Sequence, residues 1–113
     1  MKSLKQAIPT LEVAIGEEVF TIKCSFGVLA RFQKATGKNP FDGDLWKAPS
    51  PIDFAALLWA GISPQKPEWT IEDVCDQLAI GQLEQVHQIA MALMSSATAP
   101  EDKNASEEKK ISE

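Results

Sequence analysis

Residues 52–62, Ile-Asp-Phe-Ala-Ala-Leu-Leu-Trp-Ala-Gly-Ile, contain a single charge, at Asp53. A helix that is apolar nearly all round must be covered nearly all round, either by its own chain or by another molecule. No other feature constrains the fold as much. The start of this helix is sharply marked: Ser50 is a cap, Pro51 suits the first turn, and Asp53 completes a capping box. Residues 51–62 are therefore expected to lie centrally in the core or to be partly covered by another molecule.

Upstream, LEVAI (11–15) and EVFTIKC (18–24) flank Gly16-Glu17. Two β-rich runs around a short glycine-containing connection predict a hairpin. In the second run Val19, Phe20, Ile22 and Cys24 oppose Glu18, Thr21 and Lys23, with one slip in the alternation at Phe20. Ser25 then caps a helix. At about 100° per residue, Val28, Leu29, Phe32 and Ala35 form one stripe, with Arg31 and Lys34 opposite. Phe26 lies off that stripe and is expected to pack back on the hairpin. Gly37 and Asn39-Pro40 stop the helix.

Downstream, 41–51 reads as a Pro/Gly/Asp-rich loop and 63–69 as a second loop. Thr70 and Asp73 repeat the capping pattern. Ile71, Val74, Cys75 and Leu78 make a core stripe opposite Glu72, Asp73, Asp76 and Gln77, and Gly81 is expected to end that helix. Residues 82–95 form the last helix, with Leu83, Val86, Ile89, Ala90, Leu93 and Met94 inward. From about residue 97 the chain turns to Ala, Ser and charge, too little apolar surface to order itself. The expectation is an α+β fold, mostly helical: an N-terminal β-hairpin, about four helices and a disordered C-terminal tail. Residues 1–96 form one domain and 97–113 the tail, within the 113 residues of the chain.

Charge and motif narrow the function classes. The net charge of −5 offers nothing to counterion release, which disfavours nucleic acid, and the lysines are scattered. No apolar run approaches a membrane span, and MKSLKQAIPT has no apolar core of a signal peptide. Cys24 and Cys75 lack metal or disulfide-framework spacing and read as reduced thiols of a cytoplasmic protein. Cys24 falls in the strand alternation as a small buried group, and Cys75 on a core stripe. His87, the only histidine, sits at the edge of the last helix's apolar face and reads as a boundary residue of the core. Asp42 and Asp44 around Gly43 lack the further ligands of a calcium loop and read as a turn. No phosphate loop or dinucleotide fingerprint is present. These readings predict no enzyme, no cofactor and no metal. Trp46 and Trp69 lie in or beside the loops next to prolines, where tryptophan either caps the core or serves an interface. With Phe54, Leu58 and Trp59 of the apolar helix, they are the candidate partner-binding residues.

In order and spacing these segments resemble the tail assembly chaperones of long-tailed phages and prophages. The resemblance rests on Ser25-Phe26-Gly27-Val28-Leu29, Arg31-Phe32 and Thr36-Gly37-Lys38-Asn39-Pro40-Phe41. It continues through Pro51-Ile52-Asp53, Leu57-Leu58-Trp59-Ala60-Gly61-Ile62 and the Thr70–Leu78 segment, and covers about residues 11–95. It implies a protein that binds the tape-measure protein, keeps it soluble while the tail tube polymerises, meets the tube protein and self-associates. Many such chaperones also have a longer frameshifted form, and Glu108-Lys109-Lys110 is where an adenine-rich slippery run would fall. Two other classes compete: a minor structural tail protein retained in the virion, and a small prophage regulatory module, which would need a basic face.

Overall fold

A computed structural model describes residues 7–98. The order is β1 (Thr10–Ile15), β2 (Glu18–Lys23), α1 (Phe26–Thr36), α2 (Gly43–Lys47), α3 (Pro51–Ile62), α4 (Ile71–Gln77), a 3-10 turn (Ile80–Gln82) and α5 (Leu83–Thr98). The predicted α+β class stands: a two-stranded antiparallel hairpin followed by four to five helices. The helix beyond expectation is α2, a single turn inside the 41–51 loop. Asp42 makes it by accepting the Asp44 N–H at 3.0 Å. Helix α5 carries residues 97 and 98, which the sequence assigned to the tail. The rest of the predicted tail, including Glu108-Lys109-Lys110, lies outside the described residues, as does the 1–6 segment.

Helix α3 is the centre. Phe54, Ala55, Ala56, Leu57, Leu58, Ala60, Gly61 and Ile62 are all buried. The hairpin, α1, α4 and α5 form the shell, contributing Val13, Ile15, Phe20, Ile22, Val28, Phe32, Val74, Ala90 and Leu93. Each fully buried aliphatic side chain of this set contributes about 1.5–3 kcal/mol of transfer free energy. The closest approach is at Gly61, where a Cβ would stand 2.9 Å from both Cδ1 and Cγ2 of Ile22. The absence of a side chain at 61 lets α3 lie against β2.

Three local devices fix the shell. Asp53, almost fully buried, holds the N-terminus of α3. Its Oδ2 accepts the Ser50 N–H at 2.8 Å, and Ser50 Oγ accepts the Asp53 N–H at 3.2 Å. Its Oδ1 meets Lys38 Nζ at 2.8 Å, tying in the end of α1. At the other end, Pro64 lacks the N–H that the Ala60 carbonyl would take one turn later. Arg31 Nε donates to that carbonyl at 2.6 Å instead. Arg31 is thus half-buried, not on a free outer face. Third, Gln65 clamps the outer edge of β2: its Oε1 accepts the Thr21 N–H at 3.3 Å and its Nε2 donates to the Thr21 carbonyl. Beside it, Lys66 Nζ lies 2.9 Å from Glu18 and 5.2 Å from the Trp69 ring centroid.

The hairpin closes through Ile15 opposite Glu18. Gly16 has φ 64° while Glu17 has negative φ, the pattern of a II′ turn. The strand phase differs from expectation: Phe20, Ile22 and Cys24 are buried and Val19 is exposed. The slip in the alternation is therefore Val19, because the core is on the Phe20 side.

Four further placements differ. Ser25 occupies the cap position of α1, but its hydroxyl makes no cap bond. Ala35 is exposed, and the buried residues of α1 are Val28, Leu29 and Phe32. Phe26 points outward, 71% exposed, edge-on to Phe41 at 6.4 Å between centroids. Its position falls roughly half a helical turn from the buried stripe. Gly81 does not end α4. The helix stops at Leu78, which is extended (φ −108°, ψ 127°), and Gln82 Oε1 accepts the Ala79 N–H at 2.9 Å to start the next turn.

Candidate functional site

Residues 78–83 depart from the helix–glycine–helix reading, and that departure builds the main surface feature. Because α4 ends early, the 3-10 turn projects Ile80 into solvent at 96% exposure, and Leu83, expected inward, is 59% exposed. Between this lip and the start of α3 runs an apolar recess of about 310 Å³. Pro51, Phe54 and Ala55 of α3 line it on one side, Cys75, Leu78, Ala79 and Ile80 on a second, and Leu83 and Val86 of α5 on a third. A second recess, about 430 Å³, shares Pro51, Phe54 and Leu83. It continues past Trp46, Lys47, Pro49, Glu84 and His87. Together the two form one open groove with Phe54 at its floor.

The candidate partner-binding residues fall in different places. Trp46 and Phe54 both line the groove. Trp46 is half-buried. Its Nε1 donates to the Pro40 carbonyl at 2.8 Å and its ring lies 5.7 Å from that of Phe32. Phe54 meets the His87 ring edge-on at 5.9 Å. Leu58 is fully buried and serves the core, out of reach of a docked partner. Trp59 and Trp69 belong to another face. Trp59 Nε1 donates to the Trp69 carbonyl at 3.0 Å, and Trp69 packs on Phe20 at 5.7 Å. They lock the 63–70 connection onto the hairpin. A buried indole N–H needs such a partner, and Trp59 finds its own in the Trp69 carbonyl.

The residues that sequence reasoning missed are Leu78, Ile80 and Leu83. The signal was their number: three large apolar residues in six positions, more than one inward stripe can hold once Ala79 and Gly81 intervene. Assigning Gly81 as a helix stop hid the excess.

The groove is lined mostly by apolar side chains. Its polar members are Cys75, Lys47, Glu84 and His87. Burial first, then the Asp76 and Glu72 carboxylates, push the Cys75 thiol above its ordinary pKa, the opposite of an activated nucleophile. Cys24 is buried. Among the described residues no cluster of His, Cys, Asp or Glu is arranged to hold a metal. No described helix is long and apolar enough to cross a membrane. No protein-family model, curated protein or solved structure matches this chain.

Proposed function

We propose that this protein is a non-catalytic tail assembly chaperone that covers apolar helical segments of a phage tape-measure protein until the tail tube encloses them. The observation that carries the reading is the groove between α3, α4 and α5. Its walls are apolar, its lip holds exposed Ile80 and Leu83, and its contents suit apolar side chains rather than a reacting substrate. The recess of about 310 Å³ beside the lip is lined by apolar side chains apart from Cys75. Unlike the usual small-molecule site, it lacks the convergent polar groups that orient a ligand. The order and spacing of the capped helices, which resemble that chaperone family over residues 11–95, support the same reading. A tape measure exposes long apolar helical faces prone to aggregation, and coating it with copies of a net-acidic chain adds charge and solubility.

The test is co-expression with the longest helical protein encoded beside this one. The chaperone reading requires that the partner be recovered in the soluble fraction and co-purify with this chain. A partner equally insoluble with and without the chain sinks it. Recovery of this chain from purified particles would instead favour a structural tail protein.

A further inference from the structure

The sequence is divided by charge in a way that bears on the groove. Between Pro67 and Thr98 there is no lysine or arginine, while Glu68, Glu72, Asp73, Asp76 and Glu84 all carry negative charge. This span supplies α4, the 3-10 turn and α5, which are two of the three groove walls. Glu84 lines the groove itself, and Glu72 and Asp76 are close enough to Cys75 to act on its thiol. The only lysine lining the groove, Lys47, is held by Asp44 at 3.2 Å. The cleft is thus apolar at its floor, Glu84 is the one acid in its lining, and the helices α4 and α5 that wall it carry further acids but no lysine or arginine.

We infer that this groove binds an amphipathic helix whose apolar stripe is flanked by lysines or arginines. The inference rests on the docking role proposed above and specifies the partner's chemistry. A helix fits because the walls are side chains of other helices and present no strand edge. An extended segment would leave its backbone N–H and C=O groups unpaired, whereas a helix satisfies its own. Cationic flanks follow from the excess of acids on α4 and α5, since matched charge speeds encounter and fixes orientation.

The same charges exclude two nearer occupants. The chain's own residues 99–113 carry five acidic groups (Glu101, Asp102, Glu107, Glu108, Glu113) against three lysines, with Ile111 the only large apolar residue. A second copy docked groove to groove would set the acids of α4 and α5 against those of its partner.

The test uses the full chain and two designed peptides of about 20 residues, long enough to hold a helix. One is a Leu/Lys amphipathic helix and the other its Leu/Glu counterpart. Binding is followed by fluorescence anisotropy of the labelled peptide, and groove occupancy by the alkylation rate of Cys75. The Leu/Lys peptide should bind and slow Cys75 alkylation, and the Leu/Glu peptide should do neither. Raising salt from about 0.05 to 0.5 M should weaken binding several-fold. Leu83→Asp and Ile80→Asp change exposed residues, so thermal unfolding should be unaffected while affinity falls about tenfold or more. Equal binding of both peptides, or unchanged affinity in both variants, overturns the inference. If the peptides fail while co-expression still solubilises the long partner, the chaperone acts through another surface. If the peptides bind while co-expression fails, the groove stands and the tail-assembly role falls.

Discussion

At the scale of single residues, Gly61 and Asp53 show how context reverses an ordinary preference. Replacing a mid-helix glycine by alanine normally gains about 1 kcal/mol. At position 61 the new methyl would meet two carbons of Ile22 at 2.9 Å, and Ile22 is β-branched and fully buried. Gly61→Ala is therefore expected to destabilise by about 1–3 kcal/mol, read from the urea midpoint. A gain in stability would show that Ile22 can yield. Asp53 is a buried acid that is nonetheless ionised. Burial alone would push its carboxyl up, but the hydrogen bonds from Lys38 and Ser50, with the Lys38 charge, outweigh it and hold the pKa below the ordinary value. A depressed folded pKa means stability that is present above the unfolded value of about 3.9 and is lost as pH falls through the folded one. Asp53→Asn should cost about 1–2 kcal/mol at neutral pH through the weakened cap and the unpaired lysine. The cost should shrink in acid, where the wild type loses the same charge. Parallel stability curves for the two proteins from neutral pH to about pH 2 would contradict this assignment.

At the scale of elements, α3 ends in an arrangement that two distant residues share. Pro64 removes a donor and Arg31 on α1 replaces it. Arg31→Met should leave the Ala60 carbonyl unsatisfied and cost about 1–2 kcal/mol. With Pro64→Ala also in place, residue 64 regains an N–H and the cost of losing Arg31 should fall. A double-mutant cycle by denaturant unfolding measures that coupling, and strict additivity would refute it. The capped helices and the hairpin were legible in the sequence because each obeys a local rule: a side chain at a cap, a glycine at a stop, a period of two or 3.6. Arg31 was not legible, because its partner lies 29 residues away and a lone arginine on an outer face resembles any solvated charge. The groove was legible only in part. Trp46 and Phe54 were identified, but Leu78 and Leu83 were assigned to regular helical faces and Ile80 was given no place. The break at Leu78 depends on a bond between the Gln82 side chain and the Ala79 backbone, which no periodicity encodes.

At the scale of the whole molecule, charge is distributed unevenly. All eleven basic residues lie before Pro67 or after Thr98. The like-charged span from Glu68 to Glu84 repels itself at long range, where salt screens most effectively. Raising ionic strength from about 0.01 to 0.15 M shortens the Debye length from about 30 to 8 Å. The two best-formed ion pairs, Lys38–Asp53 and Lys66–Glu18, are in contact and less sensitive to it. The melting temperature is therefore expected to rise over that range in differential scanning calorimetry. A fall would mean that attraction, not repulsion, dominates the surface.

The Gln65 clamp has a consequence for how far this fold can propagate. A bare two-stranded sheet has two growing ends, and two ends suffice for an endless ladder. Here the Thr21 peptide groups at the middle of β2 are already occupied, which obstructs a neighbour on that side and leaves the β1 side the more open. Any chain that joined there in the manner of a second copy would bring its own obstructed β2 side with it. The ladder would then tend to stop at four strands. One glutamine thereby sets such hairpins against stacking into an endless ladder.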